Sequence, residues 1–494
     1  LVFALVTFKC TVGKPSHYTK RALTFLHEYG LYYNLLQRFL GDDVGNSYKL
    51  VKHKDTKLES ISEKYRIRNY SNENRWDARV DQFTNWNISY TALGGNDEYN
   101  NRYRYGSNIN DDRFVSIFFQ RDPWTEDDAS IHFVAIEPKM QGKVMVCKFT
   151  HPVEATSAVT VEAGFSDQVG HTLEKDNIIS CPIPAEVKSA LLPTITSISL
   201  DLILIQDNNH EVLLLKNLRV PRTHELDRRA FNFSITVVTN DVNDPLVLEW
   251  ITHNILIGVE HFYIFDHRSS QNTKKNLWEE PIRPFLDANI VTLIPYHYNC
   301  DDFDPLQRST FNVALQKFGH LNKWLGFQDI DEFFIPGVCV NRTEINASDY
   351  PNLLLHHLRC LGTDWDQIPG VMYDLVEMGC ADTKNTFLSS SPNRNAVTTH
   401  CNIAGFHFNE MKVGHGKMFL KPSKVKYLST PHRYNHYDIV YAEAEVTKGM
   451  FYHFNNFRYS NDFPGGSDRR EDNSLRYFTL NLLEENGFIK LRHQ

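Results

Sequence analysis

The sequence predicts an α/β protein in which a β-sandwich-like module precedes a mixed, mostly parallel sheet with helices on both faces. Between about residues 112 and 222, short β-branched runs alternate with a period of two and are separated by Gly, Pro and Asp. From about residue 230 onward, strand-like runs alternate with helical segments, which is the pattern of βαβ units. The chain has 494 residues, a length typical of two or three domains.

We divide the chain into four segments. Residues 1–13 are apolar, 14–111 form a polar stem region rich in Asn and Tyr, 112–228 form the β-rich module, and 229–494 form the α/β domain. The apolar start is too short to span a bilayer, which needs ~20 residues. We expect it to be the remnant of a signal anchor or signal peptide, and the alternative is a buried N-terminal strand.

Composition and charge narrow the functional classes. The net charge is -8 and the pI is about 6.3, whereas a nucleic-acid-binding protein would usually be basic. Because the charge is acidic, we expect no nucleic-acid partner. No Gly-rich phosphate loop of the P-loop or dinucleotide type is found in the sequence, which disfavours a nucleotide-sugar pyrophosphorylase or phosphotransferase.

The sequons and the apolar start indicate a lumenal protein, whereas the cysteines leave the compartment open. Five Asn-x-Ser/Thr acceptors accompany the apolar start, at Asn69, Asn87, Asn232, Asn341 and Asn346. The eight cysteines include no Cys-x-x-Cys pair, which argues against zinc ribbons. Their spacing leaves the pairing open between disulfides and buried free thiols.

The β-rich module is predicted to contain strands at 114–119, 143–149, 158–163, 196–202 and 211–215. Such a module either binds carbohydrate or acts as a spacer, and the sequence leaves both functions open. In the α/β domain we predict strands at 233–238, 260–266, 289–294, 324–327 and 332–336, with helices from Pro245 to Gly258 and from Pro305 to Phe318.

Four carboxylates follow strands of this predicted sheet: Asp241, Asp266, Asp329 and Asp331. Ligands of α/β sheets lie beyond the carboxyl ends of the strands, so these side chains are expected at one edge. Asp329 and Asp331 are separated by Ile330, which we expect to pack into the core. Two carboxylates spaced in this way suit a hard cation such as Mn²⁺ or Mg²⁺, which can neutralise the diphosphate of a nucleotide sugar.

Several ordered motifs extend this interpretation. They are DPLVLEW (244–250), GVEHFYIFD (258–266), Gln307 and WLGFQDIDEF (324–333), followed by KMFLKP (417–422) and FYHF (451–454). Over about residues 232–460 the chain resembles glycosyltransferase family 92, a former domain of unknown function that includes β-1,4-galactosyltransferases. The resemblance implies a GT-A-like, Rossmann-like catalytic domain, an inverting mechanism, Mn²⁺ and UDP-galactose. Residues 364–409 match the family's pattern poorly, and 312–315 lack a cysteine that is frequent there.

The resemblance also implies roles for individual residues. Asp329 and Asp331 would bind the metal ion and the donor diphosphate. Asp266 and the turn at Asn240 and Asp241 would lie near the uridine. The donor site would further include Lys417, and a late histidine would complete the metal site, with His453 preferred and His432 second.

An inverting transfer also needs a general base for the acceptor hydroxyl, and an Asp or Glu would serve. The candidates are Glu410, which is preferred because it precedes the late histidines, and Asp374 and Glu377.

The sequence thus predicts a hexosyltransferase that moves galactose from UDP-galactose to a glycan acceptor. We expect a single-pass type II protein of the Golgi membrane with a lumenal catalytic domain. The alternative function is a non-catalytic carbohydrate-binding or scaffold protein with a degenerate transferase domain.

Overall fold

The computed structural model describes about half of the chain. The described residues are 48–50, 114–119, 127–135, 144–154, 156–165, 178–195, 197–206, 210–221, 231–239, 242, 244–266, 282–288, 290–295, 303–336, 353–361, 368–379, 403–406, 417–430, 433–436, 442–443, 449–454, 468–471, 473–485 and 489–491.

The strands of this part are, in chain order, β1 (Tyr48–Leu50), β2 (Phe114–Phe119), β3 (Ser130–Ala135), β4 (Val144–Thr150), β5 (Ala158–Glu162), β6 (Gly164–Phe165), β7 (Ile178–Pro182), β8 (Ser197–Gln206), β9 (His210–Pro221), β10 (Phe231–Thr239), β11 (His261–Asp266), β12 (Val291–Pro295), β13 (Asn322–Phe327), β14 (Glu332–Pro336), β15 (Gly370–Tyr373), β16 (Leu375–Gly379), β17 (Ile403–Phe406), β18 (Lys417–Leu420), β19 (Val425–Thr430), β20 (Arg433–His436), β21 (Ala442–Glu443), β22 (Gly449–His453), β23 (Asp468–Glu471) and β24 (Ile489–Leu491). The α-helices are α1 (Ala185–Ser189), α2 (Pro245–Ile257), α3 (Arg283–Asp287), α4 (Phe303–Phe318), α5 (Leu353–Cys360) and α6 (Ser474–Glu485).

The main sheet has seven strands in the order β12-β11-β10-β13-β18-β15-β21. The first four are parallel, as the alternation of strands and helices predicts. Strand β18 is antiparallel to both β13 and β15, so the sheet is mixed. The close approach of β13 to its neighbours depends on Gly326, because a Cβ there would lie 3.1 Å from Ile235 and 3.2 Å from Phe419.

Hydrophobic cores cover both faces of this sheet. Alternate residues of β10 (Phe233, Ile235 and Val237) point into the core that includes α2, α5 and α6. The opposite face, which includes Val238, packs with Phe311 of α4. The prediction of helices on both faces is therefore confirmed for the described residues.

Helix α2 shows how local sequence fixes its ends. Asp244 caps its N-terminus by accepting a hydrogen bond of 2.7 Å from the backbone N–H of Leu246, and Pro245 occupies the first turn. Gly258 ends the helix with a left-handed φ of 109°. Both ends agree with the prediction. The helix is buried on more than one face because α6 packs against it together with β14.

A second sheet has five strands in the order β14-β22-β16-β17-β23. Along the chain, its strands alternate with strands of the main sheet. Strand β14 follows β13 after a short turn, and β16 follows β15 after Asp374. Both passages carry acidic side chains, Asp329 and Asp331 in the first and Asp374 in the second. A third passage, from β21 to β22, runs through residues 444–448, which lie outside the described residues.

The β-rich module consists of two four-stranded antiparallel sheets, β2-β3-β7-β6 and β5-β4-β8-β9. Their inner faces share one core, and a disulfide between Cys147 of β4 and Cys181 of β7 joins the two sheets. Two of the cysteines whose pairing the sequence left open are therefore bridged. This is the arrangement of a β-sandwich.

Helix α4 lies between the module and the main sheet. It packs against β10, β13 and β19 on one side and approaches β2 and β3 on the other. Its polar residues Arg308, Ser309, Thr310 and Asn312 are all buried, which is the pattern of a helix covered on every face. Asn312 is bonded to the backbone of β19, since its amide donates to the Leu428 carbonyl at 2.9 Å and accepts from the Leu428 N–H at 2.7 Å.

One predicted sequon has a structural role. Asn232 lies in β10, and its side-chain amide donates a 3.1 Å hydrogen bond to Glu260. Ser234, the third residue of the sequon, is fully buried. The other four sequons, at residues 69, 87, 341 and 346, lie outside the described residues.

The first and the last described strands, β1 and β24, pair antiparallel with each other. In the part of the chain that the structure describes, no helix combines the length and hydrophobicity needed to cross a membrane.

Stability is expected to depend on pH through His357. This residue of α5 is fully buried and shares a 2.9 Å hydrogen bond with the Tyr373 hydroxyl. Burial, aided by His356, lowers the pKa of His357 from 6.5 to about 3. Below pH 6.5 the unfolded chain gains a proton there that the folded chain does not bind, so acidification from pH 6.5 toward 3 lowers the free energy of unfolding.

The substitution His357→Gln should isolate this effect, because glutamine keeps a polar group but does not titrate. We expect the variant to be less stable at pH 7.5, and the deficit to shrink by about 2 kcal/mol at pH 5. Urea unfolding at both pH values measures the two differences. An equal deficit at pH 7.5 and pH 5 would contradict the assignment.

Candidate active site

The acidic turn predicted at Asp329 and Asp331 joins β13 to β14, at the edge where the parallel strands end. Two backbone bonds fix its ends: Gln328 N–H donates to the Thr236 carbonyl of β10 at 3.3 Å, and Glu332 N–H donates to the Asp329 carbonyl at 3.2 Å. Ile330 packs against the main core, as predicted. The turn therefore presents two carboxylates on a short, anchored segment.

Glu332 lies directly beneath this turn. Its side chain is 1% exposed, and its Oε2 accepts a 2.9 Å hydrogen bond from the backbone N–H of Asp329. Burial raises the pKa of Glu332 to about 8, although the nearby Lys417 acts in the opposite direction. The carboxyl group of Glu332 thus holds the first acid of the turn in place through its backbone.

Lys417, the first residue of β18, is the cation of the cluster. Its Nζ lies 2.7 Å from Asp329 Oδ2 and 3.3 Å from Glu332 Oε1, and its side chain is 2% exposed. Burial alone would lower the pKa of Lys417, but the carboxylates of Asp329 and Glu332 outweigh it and raise the pKa above that of a free lysine. The ammonium group therefore stays charged.

Gln307 of α4 reaches the same carboxylate from the other side. Its side-chain amide donates a short hydrogen bond to Asp329 Oδ1. Each oxygen of Asp329 thus has a protein donor, from Gln307 at one and Lys417 at the other.

His453, the last residue of β22, faces the second acid of the turn. Its Nε2 lies 3.7 Å from Asp331 Oδ2 and 4.0 Å from Glu332 Oε1, and its Nδ1 lies 3.2 Å from Glu377 Oε1. Burial lowers the pKa of His453, but the three carboxylates outweigh it and raise the pKa to about 9. Burial also raises the pKa of Asp331, whose side chain is 26% exposed, against the effect of His453.

The structure thus brings together five residues that the sequence proposed for the site: Asp329, Asp331, Lys417, Glu377 and His453. Asp266 is the last residue of β11 and is buried at the same edge of the sheet, next to Thr239 of β10.

Asp374 lies between β15 and β16, where burial raises its pKa. The hydrogen bonds and ion pairs of the described cluster do not include its carboxylate. Four further candidates, Asn240, Asp241, Glu410 and His432, lie outside the described residues.

Sequence reasoning missed the role of Glu332 and understated that of Gln307. The sequence pattern places Glu332 at the start of an apolar strand and Gln307 only within a motif. The sequence does contain a signal for Glu332: a third acid, directly after Asp331, is unusual at the start of a buried strand. For Gln307 the signal was weaker, since one polar residue on a helix is usually solvated.

The donor set suits a hard divalent cation only in part. Asp331 and His453 offer a carboxylate oxygen and an imidazole nitrogen, which Mn²⁺ accepts. Among the described residues, no group of three or more His, Cys, Asp or Glu side chains is arranged to hold a metal ion by itself. An ion at this position would therefore take further ligands from substrate phosphate and water, which is usual for Mg²⁺ sites.

Fold and site together define an α/β enzyme with an acidic turn at the carboxyl edge of its parallel strands. The model of one family, glycosyltransferase family 92, matches residues 239–486, which is half of the chain. The chain belongs to glycosyltransferase family 92, whose activity is sugar transfer. A comparison with curated proteins gave no match.

We expect Lys417→Met to destabilise the fold, because it removes the buried cation that contacts both the partly exposed Asp329 and the buried Glu332. Breaking a buried ion pair in this way costs about 3–5 kcal/mol. Chemical unfolding followed by circular dichroism measures the loss.

A matched control is Lys188→Met on the β-rich module. Lys188 Nζ also lies 3.0 Å from a carboxylate, but that of Asp127 is fully exposed. The control should unfold at the wild-type denaturant concentration. Equal effects of the two substitutions would show that burial of the Lys417 charge is unimportant.

Proposed function

We propose that this family 92 enzyme is a metal-dependent inverting transferase that moves galactose from UDP-galactose to a glycan acceptor. The observation that carries the proposal is the pairing of the Asp329 and Asp331 turn with His453 at the carboxyl edge of the parallel strands. This edge is where α/β sheets bind nucleotides. The mixed seven-stranded sheet with helices on both faces is consistent with a GT-A fold.

In this proposal Asp331 and His453 hold Mn²⁺ or Mg²⁺, and Asp329 contributes to the same site. When bound, the ion supplies positive charge to the leaving diphosphate as the sugar–phosphate bond breaks. Lys417 places a second, permanent positive charge beside Asp329, so the site is suited to a dianionic leaving group. Asp266, Asn240 and Asp241 are proposed to bind the uridine.

The transfer forms a bond between the acceptor oxygen and the anomeric carbon while the bond from that carbon to the diphosphate breaks. The proton of the acceptor hydroxyl must pass to a base. Asp374 and Glu410 are the proposed candidates, because Glu377 is hydrogen bonded to His453. Burial raises the pKa of Asp374, which makes its carboxylate a stronger base than a free aspartate.

We propose that the enzyme acts in the lumen of the Golgi, attached by an N-terminal single-pass anchor. The Cys147–Cys181 disulfide supports an oxidising compartment, since such bridges are rare in the cytosol. The apolar start and the sequons outside the described residues agree with this location.

A donor screen tests the function. UDP-galactose, UDP-glucose and UDP-N-acetylglucosamine are each incubated with the enzyme, and released UDP is measured with Mn²⁺ and with chelator. We expect release from UDP-galactose to be fastest and to stop with chelator. Equal release of UDP with and without chelator would contradict the proposed metal dependence. Faster release from another UDP-sugar would contradict galactose as the donor sugar.

The variant Asp331→Asn should lower turnover by about 10²–10³-fold, because it removes a charge that positions the ion next to the leaving group. Asp127→Asn, the same change at an exposed position of the β-rich module, serves as the matched control and should leave turnover unchanged. Wild-type turnover in Asp331→Asn would contradict the proposed role of this acid.

A further inference from the structure

Three neighbouring strands place charged side chains in one row across the second sheet. In the register of β14 and β22, Glu332 is opposite His453, and in the register of β22 and β16, His453 is opposite Glu377. Side chains opposite each other on adjacent strands lie on the same face. The imidazole of His453 is therefore held between two carboxylates by the pairing of the strands.

The two ring nitrogens of His453 face different groups. Nδ1 lies 3.2 Å from Glu377 Oε1, whereas Nε2 lies 3.7 Å from Asp331 Oδ2. An ionised carboxylate can only accept a hydrogen bond, so Nδ1 must be the donor in the bond to Glu377. In the neutral imidazole this leaves the lone pair on Nε2, on the side of Asp331.

Nε2 and Asp331 Oδ2 lie close enough to serve one ion after a small adjustment. Adjacent donors about 2.1 Å from an octahedral divalent cation lie about 3 Å apart. The observed 3.7 Å would therefore have to shorten by less than about 1 Å. A histidine that binds a metal ion usually donates its other N–H to a carboxylate or carbonyl, which fixes both the ring and its tautomer.

We propose that Glu377 is a positioning residue: it holds the ring of His453 so that Nε2 and Asp331 face the same divalent cation. This proposal rests on the proposed function, since it concerns the same metal site. The proposed role replaces that of general base, which the sequence suggests for Glu377. The carboxylate acts through His453 and need not touch either sugar.

Metal binding tests the proposal directly. Mn²⁺ is titrated into the UDP complex of each variant, with the free ion followed by its electron paramagnetic resonance signal. Glu377→Ala should weaken Mn²⁺ binding about 10–100-fold, as is usual when the partner of a metal-bound histidine is removed. Glu377→Gln should be affected less, because its amide oxygen can still accept the bond from Nδ1.

A second readout reports the ring itself. Electron spin echo modulation of bound Mn²⁺ should show coupling to a histidine nitrogen in the wild type, and His453→Gln should abolish it. In Glu377→Ala this nitrogen signal should weaken, whereas in Glu377→Gln it should persist. Glu471→Ala, which removes an exposed acid from β23 of the same sheet, is the matched control and should match the wild type.

The outcomes are separable. If Glu377→Ala binds Mn²⁺ with wild-type affinity and nitrogen signal but transfers no sugar, Glu377 is the base and the proposal is wrong. If Glu377→Ala matches the wild type in every readout, the proposal is equally wrong. If the wild type itself binds no Mn²⁺ in the presence of UDP, the metal site of the proposed function fails, and the proposal for Glu377 fails with it.

Discussion

The buried ammonium of Lys417 is the constraint on which the site depends. It lies between the carboxylates of Asp329 and Glu332, one in the acidic turn and one beneath it. Without this cation the carboxylate of Asp329 would lie next to the buried Glu332 with no compensating charge, which is costly where little water can reach. Because Glu332 also binds the backbone N–H of Asp329, the charge of Lys417 fixes the path of the turn as well as its electrostatics.

Much of the fold could be predicted because its signals are local. The cap at Asp244, the stop at Gly258 and the period-two runs of the β-rich module each depend on neighbouring residues, and the structure has these elements at the predicted places. Strand order could not be predicted in the same way. The antiparallel insertion of β18 beside β13 joins residues far apart in sequence, and no local pattern specifies that partner.

The same distinction applies to the site. Asp329 and Asp331 could be found because they follow an apolar strand and are close in sequence. The row formed by Glu332, His453 and Glu377 depends on the register of three strands from different parts of the chain. Sequence reasoning therefore selects Glu377 as an acid of the site but has no means of placing it next to His453.

The position of β10 matters for any attempt to transfer the catalytic domain into another protein. The family match begins at residue 239, the last residue of β10, although β10 pairs with both β11 and β13 in the main sheet. A segment excised at residues 239 and 486 would lack nearly all of β10, the strand that lies between β11 and β13. It would also lack the β-rich module that approaches α4. The segment that the family model matches thus omits most of a central strand of the main sheet, so a graft should include β10 as well.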